Sequence, residues 1–199
     1  MPPRTSTDDP HTDLRPIKAS IHFEDVEGFG DWRIYISTRA NRDLRDARCK
    51  DPKLFTIIVK KIKELSNGHF STDNQNRLNH SSLEVPIYEA KMTRHVRLVY
   101  QVDCVPEPEE EDREYQALKI FGVYTHAQLD RRLWSSLGNH LARKGREYRQ
   151  RVTYRNRPLV TGDNVYYPAS FPPLEQEVED SSHLPTLPKE DLEELHSLL

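Results

Sequence analysis

Nine residues near the middle of the chain constrain its fold most: His95-Val96-Arg97-Leu98-Val99-Tyr100-Gln101-Val102-Asp103. Val96, Leu98, Tyr100 and Val102 fall on one side, His95, Arg97, Gln101 and Asp103 on the other. A period of two is the mark of a strand with one buried and one solvated face. Two neighbours fit beside it. Glu84-Val85-Pro86-Ile87-Tyr88-Glu89-Ala90-Lys91 precedes it, and the more apolar Leu118-Lys119-Ile120-Phe121-Gly122-Val123-Tyr124-Thr125-His126 follows. Residues 83–126 thus read as three antiparallel strands, with a wet face that gathers Lys91, His95, Arg97 and His126 towards one region.

The flanks supply helices to cover the sheet. Trp32-Arg33-Ile34-Tyr35-Ile36-Ser37-Thr38 is rich in β-branched and aromatic residues and predicts a strand. From Arg39 the spacing of Ala40, Leu44 and Ala47 predicts a half-exposed helix. Asp51-Pro52 opens a second helix, since Asp can cap and Pro at the first position loses no needed donor. Its apolar stripe is Leu54, Ile57, Ile58, Ile62 and Leu65, and Asn67-Gly68 ends it because glycine accepts a left-handed conformation. Residues 69–82 are polar and predict a loop. Residues 106–112, almost all acidic, predict a loop projecting from a long hairpin. After His126, Leu129, Leu133, Leu137 and Leu141 with Trp134 predict a helix that lies on the sheet. Leu54, Ile58, Ile62, Leu98, Tyr100, Leu133 and Leu137 are expected to be buried together.

The predicted class is α+β, a small antiparallel sheet with packed helices and disordered N- and C-terminal tails. Residues 1–30 read as a disordered leader, 31–157 as the folded domain and 158–173 as a proline-interrupted aromatic arm. Residues 174–199 form an acidic tail leading into an unfinished helix. Only 35% of the 199 residues are hydrophobic and 31% are charged, which agrees with long solvated ends. Cys49 and Cys104 show no pairing pattern, and no apolar run reaches membrane-spanning length, so an intracellular chain, cytoplasmic or nuclear, is expected. Neither a metal-ligand spacing nor a cofactor motif is present. His126 and His140 lie too far apart along one helix to share an ion.

The net charge of −3 hides segregation. Between His126 and Arg157 nine Lys and Arg stand against Asp130 and Glu147, interleaved with Tyr148 and Tyr154. Such density suits a phosphate backbone, and makes Arg143, Lys144, Arg146, Arg149 and Arg151 the candidate contacts to RNA or DNA. Solvation of a helix end is the plainer role of these cations, and an acidic protein is the other partner they suit.

The order strand, helix, helix, three strands, helix, with Val96-Arg97-Leu98-Val99-Tyr100 and Tyr124-Thr125-His126-Ala127-Gln128-Leu129, resembles the RelE/ParE superfamily of toxin folds. Further segments are similar to the N-terminal region of large fungal UvrD-like helicase proteins. These are Lys60-Lys61-Ile62-Lys63-Glu64-Leu65-Ser66-Asn67-Gly68, Tyr124 through Arg132, Leu141-Ala142-Arg143-Lys144-Gly145 and Tyr166-Tyr167-Pro168-Ala169-Ser170-Phe171-Pro172. In that family an ATP-binding core follows this region, so the chain is expected to be a fragment of a longer protein. No Gly-x-x-x-x-Gly-Lys-Ser/Thr loop occurs in it, and no ATPase activity is expected of this chain alone. The resemblance implies an auxiliary nucleic-acid-binding domain. By likeness to RelE-type ribonucleases it also implies a metal-independent RNA endonuclease alternative. There Arg97 would hold phosphate, His126 act as acid, Glu89 or His95 as base, and Lys91 add positive field. A protein-interaction module is the third reading.

Overall fold

The computed structural model describes residues 27–107, 110–157 and 164–172. Their elements follow the order β1 (Arg33–Ile36), α1 (Thr38–Lys50), α2 (Pro52–Ser66), β2 (Asn76–Arg77), β3 (Tyr88–Lys91), β4 (Val96–Glu107), β5 (Glu110–Thr125), α3 (Arg131–Ala142), α4 (Arg146–Thr153) and β6 (Ser170–Phe171). Local chemistry sets the helix starts. The Ser37 hydroxyl accepts from the Ala40 N–H (3.1 Å) to open α1, and Asp51 Oδ1 accepts from the Leu54 N–H (3.0 Å) to open α2. Each takes up an N–H that has no partner inside its helix.

The sheet has six strands in the order β1-β5-β4-β3-β2, with β6 also on β5. The class is α+β as expected, but the sheet is mixed rather than antiparallel. β1 runs parallel to β5, Arg33 beside Ala117 and Ile36 beside Ile120. The crossover is supplied by α1, α2 and the two hairpins that separate the strands in sequence. Parallel neighbours need such a long connection.

Both faces of the sheet are covered, which corrects the expected wet face. On one side Leu98, Tyr100, Val102, Leu118 and Ile120 meet Leu44, Ile58, Ile62 and Leu65 of α1 and α2. On the other, Val99, Phe121, Tyr124 and Cys104 meet Trp134, Leu137 and Leu141 of α3 and Tyr148 and Val152 of α4. The seven apolar residues expected in one core are therefore divided by the sheet. Leu54, Ile58, Ile62, Leu98 and Tyr100 lie in the first core or against it, Leu133 and Leu137 in or against the second. Gln101 and Asp103, which read as solvated, are buried in the second. Gln101 Nε2 donates to the Tyr148 hydroxyl (2.9 Å), which in turn donates to Asp103. Partners of this kind make burial of polar groups tolerable. Burial and the Asp103 carboxylate push the Tyr148 hydroxyl pKa upward.

Three further features depart from the sequence reading. The strands of the acidic hairpin continue through Glu107 and resume at Glu110, so Pro106, Glu107, Glu110 and residues 111–112 are strand rather than loop. Pro108 and Glu109 lie outside the described residues, as do residues 1–26 of the expected leader, 158–163 and 173 of the expected arm and 174–199 of the expected tail. The polar stretch 69–82 contains β2 and buries Asn74 and Asn79. Asn79 donates to the Val85 carbonyl (2.7 Å) and accepts from the Ile87 N–H (3.1 Å), holding the approach to β3. Finally, the expected single basic helix is two. Gly145 at φ 100° lies between α3 and α4, a conformation that glycine adopts without a Cβ penalty.

Residues 164–172 lie along the fold. The Trp32 indole N–H donates to the Tyr166 carbonyl (2.7 Å), and Gln116 and Ala169 exchange hydrogen bonds through the Gln116 backbone N–H and side-chain Oε1 (2.9 and 3.0 Å).

Candidate nucleic-acid interface

The site is built at the end of the sheet where β3 turns into β4 and β5 ends. Thr93 organises the turn, its hydroxyl accepting from the N–H groups of His95 and Val96 (3.3 and 3.1 Å). Register then fixes the neighbours. Lys91 lies opposite Arg97, and Arg97 opposite Tyr124. One step further out, the His126 N–H donates to the His95 carbonyl (2.9 Å). Lys91, His95, Arg97 and His126 are thus brought to one end of the sheet.

They do not present alike. Arg97 Nη1 donates to the carbonyls of Thr93 (2.8 Å) and Val96 (3.1 Å). Its Nε lies 3.5 Å from Glu89 Oε2, and each of the two side chains is only 11% exposed. Glu89 Oε1 accepts from Asn76 Nδ2 (2.7 Å). Arg97 and Glu89 are therefore a shielded pair that fastens the turn to the strands. Lys91 is open, its side chain 52% exposed and its Nζ 3.9 Å from Asp73 Oδ1. His95 and His126 are exposed, and among the described residues neither ring forms a hydrogen bond or ion pair. Behind them Tyr124 is buried, with the Arg39 guanidinium 4.3 Å above its ring. Burial raises its hydroxyl to about 12, against the lowering effect of Arg39, so it is a protonated group at neutral pH.

Further exposed cations, which the sequence reading did not single out, stand in the turn and soon after His126. Arg94 is exposed in the turn beside His95, and Arg131 and Arg132 are exposed in the first turn of α3. Arg131 Nη1 lies 3.4 Å from Nε2 of His80, which reaches over from the loop after β2. The pair Arg131-Arg132 stood in the sequence as part of the basic run. The register of β4 on β5 sets the residues just before it, Thr125 and His126, beside the turn that holds His95 and Val96. The nearest carboxylates are committed: Asp130 Oδ1 caps α3 through the Arg132 N–H (2.8 Å), and Asp73 faces Lys91.

The second basic group sits at the turn between α3 and α4. Arg143, Lys144 and Arg146 are exposed, with the Lys144 Nζ 4.7 Å from the centre of the Tyr148 ring. Arg149 and Arg151 face the body instead. Arg149 Nη1 donates to the Leu83 carbonyl (3.1 Å). Arg151 pairs with Glu114 (3.3 Å) and Glu147 (3.7 Å), and its side chain is 11% exposed. The five basic candidates thus separate into three surface cations and two that tie α4 to the fold.

No family model, curated protein or solved structure matches the chain. Among the described residues no helix is long and apolar enough to cross a membrane, and no three His, Cys, Asp or Glu side chains gather to hold a metal ion. This end of the sheet thus presents exposed Lys91 and Arg94 with two exposed histidines, His95 and His126.

Proposed function

We propose that this is an auxiliary nucleic-acid-binding, RelE-like domain of a UvrD-like helicase-type protein, holding phosphate at the end of the sheet. The observation that carries the binding reading is the exposure of Lys91, Arg94, His95 and His126 at one end of the sheet, with Arg131 and Arg132 exposed a few residues past His126, while Asp130 is used in capping and Asp73 faces Lys91. Exposed cations gain from a polyanion chiefly by releasing its condensed counterions, so affinity should fall steeply as salt rises. Changing Lys91, Arg94 and Arg131 together to Gln should lower the slope of log affinity against log salt by about three, roughly one per phosphate contact. Binding that ignores salt, or no binding at low salt, would remove nucleic acid from the reading. The domain's helicase context rests on the sequence resemblance and on that alone.

One observation favours a second reading, metal-independent RNA cleavage. A backbone hydrogen bond from the His126 N–H to the His95 carbonyl brings two exposed histidines to the same end of the sheet, and a base and an acid flanking a phosphate are what 2′-hydroxyl attack requires. In this reading the base is His95 rather than the shielded Glu89, and Lys91 or Arg94 takes the phosphate role expected of Arg97. His126→Ala should then slow cleavage by ~10²–10⁴. Cleavage untouched by that change, or none by the parent chain with ribosomes present, rules this reading out.

A further inference from the structure

We infer that α3 is a groove-reading helix whose ligand is double-stranded B-form DNA, an inference that rests on the nucleic-acid reading above and narrows it. The helix, Arg131-Arg132-Leu133-Trp134-Ser135-Ser136-Leu137-Gly138-Asn139-His140-Leu141-Ala142, contains no carboxylate. Trp134, Leu137, Gly138 and Leu141 are buried and fix one side on the sheet. The other side carries Arg132, Ser136, Asn139 and Arg143, spaced four, three and four apart and so on one helical face. His140 is exposed beside them.

The distribution along that face has a chemical sense. Arginines stand at both ends, and between them are only short side chains with hydrogen-bonding groups. Arg132, Arg143 and the adjacent Arg146 form no salt bridge among the described residues. The 12 residues of α3 at ~1.5 Å each span about 18 Å. A helix laid in the major groove, about 12 Å wide, therefore has its two ends near the phosphates of opposite walls. Its middle then faces base edges, where Asn and Ser can donate and accept. Asn139 Nδ2 donates to Glu84 Oε1 (3.2 Å), and its amide oxygen is not engaged in a hydrogen bond among the described residues.

Close approach to a flat groove floor also requires that nothing bulky stand out from the centre of the helix. Ser135 and Ser136 are half-buried. Long acidic or aromatic side chains are absent from the outward face. The deep, narrow major groove of an RNA duplex does not admit side chains in this way, and a single strand presents no opposite wall.

The test uses the full chain and three labelled probes of one sequence: a DNA duplex, its single strand and the RNA duplex, titrated at several salt concentrations by fluorescence anisotropy. The DNA duplex should bind tightest. Arg132→Gln with Arg143→Gln should weaken that binding at least about tenfold and lower its salt slope by about two. Titrated against a further set of DNA duplexes of varied sequence, Asn139→Ala with His140→Ala should leave the slope alone while flattening the parent's preference among them roughly tenfold. Equal or tighter binding of the single strand or the RNA duplex overturns the inference. So does an unchanged affinity in the double arginine variant. If that variant binds like the parent while Lys91→Gln with Arg94→Gln weakens binding, α3 is not the reader and nucleic-acid binding at the sheet end stands. Absence of binding to all three probes defeats both.

Discussion

The Arg97 guanidinium faces inward, and its role follows from what it touches. The backbone carbonyls of Thr93, Arg94 and Val96 and a shielded carboxylate take up its donors. Removing one partner of a shielded pair leaves the other charge uncompensated, at a cost of about 3 kcal/mol or more. Arg97→Ala should therefore lower stability by about that amount in a denaturant melt. Adding Glu89→Gln should recover a good part of it, because the amide carries no charge to leave stranded and can still meet Asn76. A phosphate-holding arginine would behave otherwise: its loss would weaken binding with little effect on unfolding, and Glu89→Gln would restore nothing. In the sequence Arg97 stood out as a cation on an alternating strand. Whether such a residue faces water depends on the face opposite, and that was decided by α3 and α4, whose placement no period of two records.

Among the elements, α3 lies close against its support. A Cβ on Gly138 would stand 2.8 Å from the Val85 carbonyl oxygen and 2.2 Å from Asn79 Nδ2, while the Val85 N–H donates to the Gly138 carbonyl (3.0 Å). Helix and approach strand thus meet backbone to backbone. Gly138→Ala should cost ~1–3 kcal/mol by overpacking and should shift α3 outward, which a change in Trp134 fluorescence would report. No loss of stability would show that the helix has room it is not credited with. The apolar stripe of α3 was plain from the leucine spacing, as were the starts of α1 and α2 from their capping side chains. β2 was not, because two residues carry no period. The bulge that sets Val99 beside Gly122 and Tyr100 beside Ile120 was likewise hidden. It leaves Phe121 unpaired and turned towards Trp134, with ring centres 5.9 Å apart.

At the scale of the whole molecule the sheet is a partition between two cores, and their contributions should be separable. Ile62→Ala on one side and Leu137→Ala on the other should each cost ~2–5 kcal/mol. Their effects should add to within about half a kcal/mol, since the two sites share no partner. Strong non-additivity in the double variant would mean that the cores act as one. The α+β class was legible from the mixture of periods along the chain. The second core was not, since Gln101 and Asp103 carry polar side chains whose burial depends on the Tyr148 hydroxyl, with the Cys104 N–H as a further donor to Asp103.

The parallel strand at the edge sets an order in time. β3, β4 and β5 are neighbours in sequence and can pair through two short turns, whereas β1 must wait for β5, and the indole of Trp32 waits for a carbonyl 134 residues away. Contacts of such separation carry the largest loop-closure entropy and form late. The α3-bearing half of the molecule thus gains its supporting sheet first. The edge strand and residues 164–172 then join it, a last step that makes the first of the described strands one of the last to be placed.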